Sequence, residues 1–430
     1  MSIELSDFQQ EQYNKFVEKR YCNIAWETGV GKTFPILKYL LEHPEEKYLI
    51  IAPKTVTKQW IIYCQKYDLK FYDWGDEKSL PANIEICGLE LFTKRNSIPP
   101  AGSKEYKEYQ KKITEMQRKF RDYNLILDEC HKIKAPTSQI ARILHKLFFK
   151  RYAFLSGTGQ ESGAWDNFIY FFINPYFDWG GFKRPTSFTE FKKLYCTVDI
   201  WGSIEGMNKS LEELFKSEWS FKQHDKDWVV ESEIQIPVDN VTKNIFKHSV
   251  GDYDTFIKMR QIVNGFVYLQ IGERKECLIF SETEKITALK SLLALSDDKI
   301  LVFFEFDKER QDLRQIEGGF EYKDIRSVDE FENNDCKFMF AHYKSLGTGV
   351  RLSYINEIVL YTLALSNTAK NQSIGRGKFA ERTKPLYVYT FTVDSEFERD
   401  IKENNKKKWE RFMEFKNGAE KTKGNNQPDD

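Results

Sequence analysis

A glycine-containing turn near the N-terminus carries the residue types that bind phosphate. In the stretch AWETGVGKT, Gly29 and Gly31 allow the backbone to turn its N–H groups toward phosphate oxygens. Lys32 can reach the β- and γ-phosphates of a nucleotide, and the Thr33 hydroxyl can ligate Mg²⁺. Trp26 stands where such a loop usually has its first glycine, and a plain glycine turn is the alternative interpretation. The stretch predicts a nucleotide-binding loop formed by Thr28, Gly29, Val30, Gly31, Lys32 and Thr33.

Two adjacent carboxylates follow an apolar run much further along the chain. LILDECHKIK places Asp128 and Glu129 directly after Leu125–Leu127. A phosphate loop needs one carboxylate for its metal ion and another to activate water, and open α/β sheets bind ligands where their strands end. Asp128 is therefore expected to hold Mg²⁺ together with Thr33, and Glu129 to polarise the attacking water. A charged turn after a core strand is the alternative.

Short apolar, β-rich runs alternate with helical stretches in both halves of the chain. Apolar strands bounded by charged helices indicate parallel sheets covered on both faces. The fold prediction is α/β, with two parallel-sheet lobes that carry helical insertions. The predicted strands are 48–52, 123–127, 152–156, 299–306, 336–342, 357–363 and 386–393.

Changes in composition divide the chain. The segment 229–240 is interpreted as the last strand of the first lobe followed by a linker. The highly charged segment Lys104 to Arg121 has helical composition and is interpreted as a solvated helix, a functional role being the less favoured alternative. The expected divisions are a first lobe over 1–238 with an aromatic, mostly helical insertion at about 160–225, a second lobe over 239–405, and a polar tail over 406–430.

The bulk composition favours a globular protein. Hydrophobic residues make up 41% and charged residues 30% of the 430 residues, which excludes a disordered chain. The formal net charge is zero, so any nucleic-acid contact must come from a local basic surface. The seven cysteines are scattered, without the spacing of a disulfide framework or a zinc site. With no signal peptide or membrane-spanning run, we expect no membrane contact and a cytoplasmic location, in a prokaryotic or phage-infected cell.

The motifs and their order resemble those of the superfamily-two helicases and translocases, most closely the Swi/Snf-like branch. LSDFQ resembles the Q-motif that reads adenine, which implies a nucleotide-binding role for Gln9. AWETGVGKT is similar to the branch's ADEMGLGKT, and the stretches LIIAPKTVTKQW, LSGTGQE, SLGTGVRL and NQSIGRG follow in the family's order. The resemblance covers about residues 5 to 400. It implies two RecA-like lobes, with ATP and Mg²⁺ bound in the cleft between them.

The resemblance also implies site residues in the second lobe. Gly349, Gln372 and Arg376 occupy positions that serve the nucleotide, and Arg376 would act with Lys32 and Glu129 in catalysis. The family's second arginine is Phe379 here, with Lys378 and Arg382 as nearby candidates to replace it. The proline of Ser/Thr-Gly-Thr-Pro is Gly159, and a family tyrosine is replaced near Leu89. These departures predict a slow or tightly gated ATPase.

Family members lay one nucleic-acid strand across both lobes. Contacts to phosphates give affinity without reading sequence, so the implied partner is DNA bound independently of sequence, preferably as duplex. Trp60 is expected to pack within its own lobe and not to stack on a base. Alternatives are a strand-separating repair or recombination helicase, and an ATP-gated DNA-binding module with weak hydrolysis. Protein partners are not indicated. The matching positions are Lys54, Thr55, Lys344, Ser345 and Arg351.

Overall fold

The protein is described by a computed structural model that divides into two compact units. One unit is built from the described residues up to 222, and the other from those within 229–407. Among the described residues, no helix combines the length and the apolar composition that crossing a membrane requires. The described residues are 3–27, 29–133, 135–157, 164–199, 203–222, 229–237, 242, 253–271, 274–280, 284–324, 326–346, 352–378, 382–393, 395, 397–404 and 406–407.

The first unit is built on a parallel sheet. Its strands are β1 (Tyr21–Trp26), β2 (Lys47–Ala52), β3 (Phe71–Asp73), β4 (Ile84–Gly88), β5 (Tyr123–Asp128), β6 (Arg151–Ser156), β7 (Cys196–Val198), β8 (Ile204–Met207) and β9 (Trp219–Lys222). The sheet order in the described part of this unit is β3-β4-β2-β5-β6-β1-β9, and every neighbouring pair is parallel. Strands β7 and β8 form a separate antiparallel pair.

Helices cover both faces of this sheet. Along β2, Tyr48 and Ile50 belong to one apolar cluster, whereas Leu49 and Ile51 belong to the other. Both faces are therefore buried, which explains why the strand sequence is apolar without interruption. The helices are α1 (Asp7–Glu18), α2 (Phe34–Glu42), α3 (Lys54–Lys66), α4 (Leu89–Arg95), α5 (Lys104–Phe120), α6 (Gln139–Leu144), α7 (Phe168–Ile173), α8 (Phe188–Tyr195) and α9 (Lys209–Ser217).

The segment at about 160–225, interpreted as a mostly helical insertion, contains α7, α8 and α9 and also supplies strands. Strand β9 extends the main sheet by pairing in parallel with β1, from Asn23↔Trp219 to Trp26↔Lys222. Four residues are too few for an alternation of apolar and polar positions to be recognised in the sequence. The pairing with β1 creates this strand, because it buries Trp219 to 2% exposure.

The second unit repeats the architecture. Its strands are β10 (Val229–Ile236), β11 (Phe266–Ile271), β12 (Arg274–Ile279), β13 (Ile300–Phe304), β14 (Gly319–Glu321), β15 (Phe338–His342), β16 (Glu357–Leu360) and β17 (Leu386–Val393). A parallel sheet has the order β10-β17-β16-β13-β15-β14, and β11 and β12 form an antiparallel pair. The helices are α10 (Tyr253–Ile262), α11 (Lys285–Leu295), α12 (Asp307–Arg314), α13 (Arg326–Glu332) and α14 (Asn367–Ile374).

The prediction of an α/β fold with two parallel-sheet, RecA-like lobes is confirmed. One strand, β10, belongs to a different lobe from the one predicted. The sequence assigns 229–240 to the end of the first lobe, but β10 pairs with β17 in the second sheet along its whole length, from Val229↔Leu386 to Ile236↔Val393. A strand's sequence does not reveal its partner, and this pairing spans more than 150 residues of chain. The limits proposed for the lobes stay predictions.

Candidate active site

The predicted phosphate loop connects β1 to α2. Gly29 and Gly31 have φ angles of 92° and 90°, a region that glycine enters without steric cost. A Cβ on Gly31 would lie 2.6 Å from Gln9 Nε2 and 2.8 Å from Phe34 Cδ2, so neither the backbone angle nor the space suits a side chain. Helix α2 begins at Phe34, with Pro35 in its first turn, where the missing N–H of proline costs nothing. Thr28 lies outside the described residues.

Gln9 is hydrogen-bonded to the backbone of this loop. Its Oε1 accepts a hydrogen bond from the Ser6 backbone N–H at 3.1 Å. Its Nε2 donates to the backbone carbonyls of Val30 and Gly31, both at 3.4 Å. The structure therefore brings the predicted Q-motif glutamine to the phosphate loop, although the two are separated by more than 20 residues of sequence.

Trp26, the apparent defect of the loop, is a packing residue at the end of β1. Its side chain is fully buried, and its Nε1 donates to Ser220 Oγ on β9 at 3.0 Å. The Phe8 ring meets it edge-on, with ring centroids 4.9 Å apart. The tryptophan stabilises the packing of β9 on the sheet, whereas Gly29 and Gly31 adopt the backbone conformation of the turn. Trp26 is therefore compatible with phosphate binding.

The acidic pair lies at the carboxyl end of β5, facing the loop. Lys32 Nζ is 3.3 Å from Glu129 Oε1, and both side chains are largely buried. The Gly157 N–H donates to the other oxygen of Glu129 at 3.3 Å. Glu129 has a φ of 52°, a left-handed conformation that is uncommon outside glycine and occurs frequently at functional sites. Residues predicted from two separate motifs therefore form one cluster.

Asp128 is held by two donors inside the protein. Its Oδ1 accepts from the Glu129 N–H at 2.9 Å, and its Oδ2 accepts from the indole Nε1 of Trp60 at 3.0 Å. Trp60 is 1% exposed, which confirms the prediction that it packs within its own lobe. Its bond to Asp128 was missed, because the spacing of two motifs does not show which side chains meet.

Burial and charge act differently on the two carboxyl groups. Burial raises the pKa of Asp128 above its usual range. Burial also acts to raise the pKa of Glu129, but the Lys32 ammonium and the bond from His131 outweigh it, so this pKa is lowered. Glu129 is thus the ionised partner of Lys32.

His131 links the acidic pair to the end of β6. Its Nδ1 lies 3.3 Å from Glu129 Oε2 and 3.1 Å from Ser156 Oγ, the last residue of the strand. Ser156 belongs to the LSGTGQE stretch, so the histidine joins two motifs that are separate in the sequence. Gly159, the departure in that stretch, lies outside the described residues.

The bond between Trp60 and Asp128 gives a testable prediction. Trp60→Phe removes the indole donor from a buried carboxylate that is predicted to hold Mg²⁺, and we expect ATP turnover to fall roughly ten- to a hundredfold, the range for residues that orient metal ligands. Trp74→Phe makes the same chemical change at Glu85, whose Oε2 accepts from Trp74 Nε1 at 2.9 Å. We expect that control to lose stability, measured by thermal unfolding, and to keep its turnover. Equal turnover in the two variants would contradict the role given to Trp60.

In the second unit, NQSIGRG forms the C-terminal half of α14 and the turn that follows it. Arg376 is 2% exposed, and its Nε donates to the Gln372 carbonyl at 2.8 Å. Gln372 is buried too, and its Nε2 has no hydrogen-bond partner among the described residues. The roles of Gln372 and Arg376 toward a nucleotide stay predictions. Gly349 and Phe379 lie outside the described residues.

Arg382, one candidate to replace the family's second arginine, is a structural residue. Its Nε donates to the Gly377 carbonyl at 2.9 Å. Its NH1 lies 3.0 Å from acceptors on Asn356, Lys384 and Pro385, and its NH2 donates to the Ile355 carbonyl. Because every guanidinium nitrogen is bonded within its own lobe, Arg382 is a poor second finger. Lys378 remains as the other candidate.

The residues predicted to contact DNA lie where strands of their own sheet end. Lys54 is exposed and Thr55 half-buried at the start of α3, directly after β2. In the second unit, Lys344 is exposed and Ser345 half-buried after β15, with Ser345 Oγ donating to the His342 carbonyl at 2.9 Å. Arg351 lies outside the described residues.

Two parallel-sheet α/β units, the first with a glycine loop and an acidic pair at its carboxyl edge, agree with the resemblance to the superfamily-two helicases and translocases. Within this class, residues 8–166 match the model of the SNF2-related domain. This match confirms the resemblance to the Swi/Snf-like branch over this part of the chain.

Individual proteins with similarity to the chain were also found. The bifunctional helicase and thymine dioxygenase JBP2 of Leishmania braziliensis is 26% identical over 154 residues, which are 33% of this chain and 14% of that protein. The Sulfolobus solfataricus SWI2/SNF2 ATPase core in complex with dsDNA is 16% identical, with a TM-score of 0.43, and the match covers 97% of each chain. The same organism's SWI2/SNF2 ATPase core domain is 17% identical, with a TM-score of 0.42, over 94% of this chain and 88% of that one.

Proposed function

We propose that the protein is a Mg²⁺-dependent ATPase that converts ATP hydrolysis into movement along duplex DNA without reading its sequence. The observation that carries the proposal is the contact between Lys32 and Glu129, which unites the phosphate loop with the acidic pair. It is supported by the SNF2-related domain over residues 8–166.

The chemistry of the first unit suits a nucleoside triphosphate. Backbone N–H groups of the loop, turned by Gly29 and Gly31, would hold the phosphates, and Gln9 would support the loop and read the base. The Thr33 hydroxyl and Asp128 carboxylate are hard oxygen donors, as Mg²⁺ prefers. When bound, Mg²⁺ would neutralise charge on the phosphates.

Glu129 would act on water. In the structure its Oε1 is paired with Lys32, and a phosphate group would compete with this carboxylate for the ammonium. Lys32 would then shift toward the phosphate, and Glu129 would be released to accept a proton from the attacking water. The Gly157 N–H and His131, both 3.3 Å from Oε2, would keep the carboxylate in position during this exchange.

We propose that the protein hydrolyses ATP slowly. Phe379 stands where the family has its second arginine, and the bonds of Arg382 keep it from that role. Arginines that reach the γ-phosphate contribute factors of about 10³–10⁵ in related enzymes. Arg376 is the arginine proposed to reach the γ-phosphate. Because we propose that DNA brings it there, we expect hydrolysis to depend strongly on DNA.

The proposal is tested by measuring ATP turnover without nucleic acid, and then with single-stranded DNA, duplex DNA and RNA. We expect duplex DNA to give the largest stimulation. Displacement of a third strand from a blunt triplex, together with no strand separation on forked DNA, would show translocation. Separation of the fork would instead establish a helicase, and turnover that no nucleic acid increases would overturn the proposal.

A further inference from the structure

Helix α5, which forms the charged segment of the first unit, has its charges sorted by side. The buried positions are Tyr109, Ile113, Met116 and Phe120, which pack into the apolar cluster on one face of the sheet. At about 100° per residue, the side opposite to this face carries Lys104, Lys107, Lys111 and Arg118. These four side chains, here called the basic stripe, are exposed, and none of them has an ion-pair partner among the described residues.

The acidic residues of α5 lie on one flank of the basic stripe. Glu105, Glu108 and Glu115 share that flank with Lys112 and Lys119, which are anchored toward the neighbouring elements. Lys112 Nζ donates to the Arg95 carbonyl, and Lys119 pairs with Glu85 at 2.8 Å. This flank therefore carries three carboxylates and two lysines that bind residues outside α5, and it bounds the basic stripe on one side.

The other flank has no carboxylate and leads to a second group of cations. Gln110, Thr114 and Gln117 occupy it, and Gln117 Nε2 donates to the Lys146 carbonyl at 2.8 Å, which places α6 beside α5. Arg142 and Lys146 lie there, and the sequence has no Asp or Glu between Glu129 and Glu161. The basic stripe thus continues into a positive surface.

Helix α5 runs from the carboxyl edge of the sheet, where the candidate active site lies, to its amino edge. Lys119, near the end of the helix, pairs with Glu85 near the start of β4, and only two residues separate the end of α5 from the start of β5. The C-terminal end of α5 therefore lies at the amino edge of the sheet, and Lys104 lies toward the carboxyl edge, where Lys54 and Thr55 are. From Lys104 to Arg118 the basic stripe is about 21 Å long, at about 1.5 Å per residue.

We propose that the basic stripe, with Arg142 and Lys146, binds phosphates of the DNA that continues past Lys54 and Thr55. The inference deepens the proposed function, since it assigns a second, sequence-independent contact surface to the same duplex. The cations of the basic stripe lie in a line and have carboxylates on one flank only, so they complement a polyanion of regular charge spacing on the other. An acidic protein would more often be met by cations interspersed with apolar contacts, and α5 has no apolar residue on its outer side.

The test compares K107Q/K111Q with a charge-matched control, K70Q/K78Q, which removes two exposed lysines elsewhere in the unit. We measure the affinity for a DNA duplex over a range of salt concentrations. The duplex is long enough to extend from Lys54 and Thr55 over the basic stripe. We expect the slope of log affinity against log salt to fall by about 1.8 in K107Q/K111Q, since each lost phosphate contact removes about 0.9. The control should keep the wild-type slope, and all proteins should keep the same DNA-free ATP turnover and unfolding temperature.

The outcomes separate the two proposals. If the wild type binds duplex DNA and K107Q/K111Q has the wild-type slope, the basic stripe is a solvated surface or serves an acidic protein, and this inference is overturned while the proposed function stands. If the wild type itself neither binds duplex DNA nor is stimulated by it, both proposals fail. An equal loss of slope in the control would also overturn the inference, because the effect would then be one of net charge.

Discussion

Glu129→Gln is expected to lower DNA-stimulated ATP turnover by roughly 10²–10⁴-fold, the range for removing a general base. The change keeps the size of a side chain that is 4% exposed and replaces the oxygen that would accept a proton with an amide. ATP affinity should change by only a few-fold, because the loop, Lys32 and Asp128 remain. Turnover is measured as phosphate release, and ATP affinity by equilibrium binding.

The matched control for this variant is Glu85→Gln. Glu85 is also a buried carboxylate of the same sheet, and it accepts hydrogen bonds from Trp74, Lys119 and Tyr123. We expect Glu85→Gln to lower the unfolding temperature and to leave turnover unchanged. Near wild-type turnover in Glu129→Gln would show that another group activates the water.

Gly31→Ala is expected to reduce ATP affinity by roughly 100-fold. An alanine would have to adopt a φ near 90°, and its Cβ would displace the Gln9 amide from the loop and press on Phe34. We expect the distorted loop to lose two hydrogen bonds from its N–H groups to the phosphates. Such a loss costs about 3 kcal/mol, which corresponds to roughly a hundredfold in ATP affinity. Equilibrium binding of ATP measures the effect.

Gly102→Ala separates backbone strain from damage to the loop. Gly102 has a φ of 86°, and a Cβ there would meet no atom within 4 Å. We expect this variant to lose about as much stability from the backbone as Gly31→Ala, but to bind ATP normally. Equal ATP affinity in the two variants would mean that the loop geometry does not serve nucleotide binding.

Much of the first unit could be predicted from the sequence because its signals are local. A buried parallel strand is a continuous apolar run, so β2, β5 and β6 were found to within about a residue of their bounds. The glycine turn and the acidic pair could be singled out in the sequence because the phosphate chemistry predicted for them needs fixed residue types at fixed positions. Their approach to one another follows from strand ends meeting at one edge of a sheet.

The parts that could not be predicted depend on which distant residues pair. Strand β9 exists because Trp219 and Ser220 pack beside β1, and β10 belongs to the second sheet because β17 accepts it. The positioning roles of Trp60 and His131 depend on single hydrogen bonds between motifs. Trp26 was misleading for the same reason, since its partner Ser220 lies nearly 200 residues away.

The most direct test of the account is phosphate release with saturating duplex DNA, measured for the wild type beside Lys32→Ala. Lys32 contacts Glu129 and lies in the loop, so its removal should abolish both phosphate binding and catalysis. We predict duplex-stimulated release by the wild type and none above background in Lys32→Ala. Wild-type release no higher than that of Lys32→Ala would contradict the account.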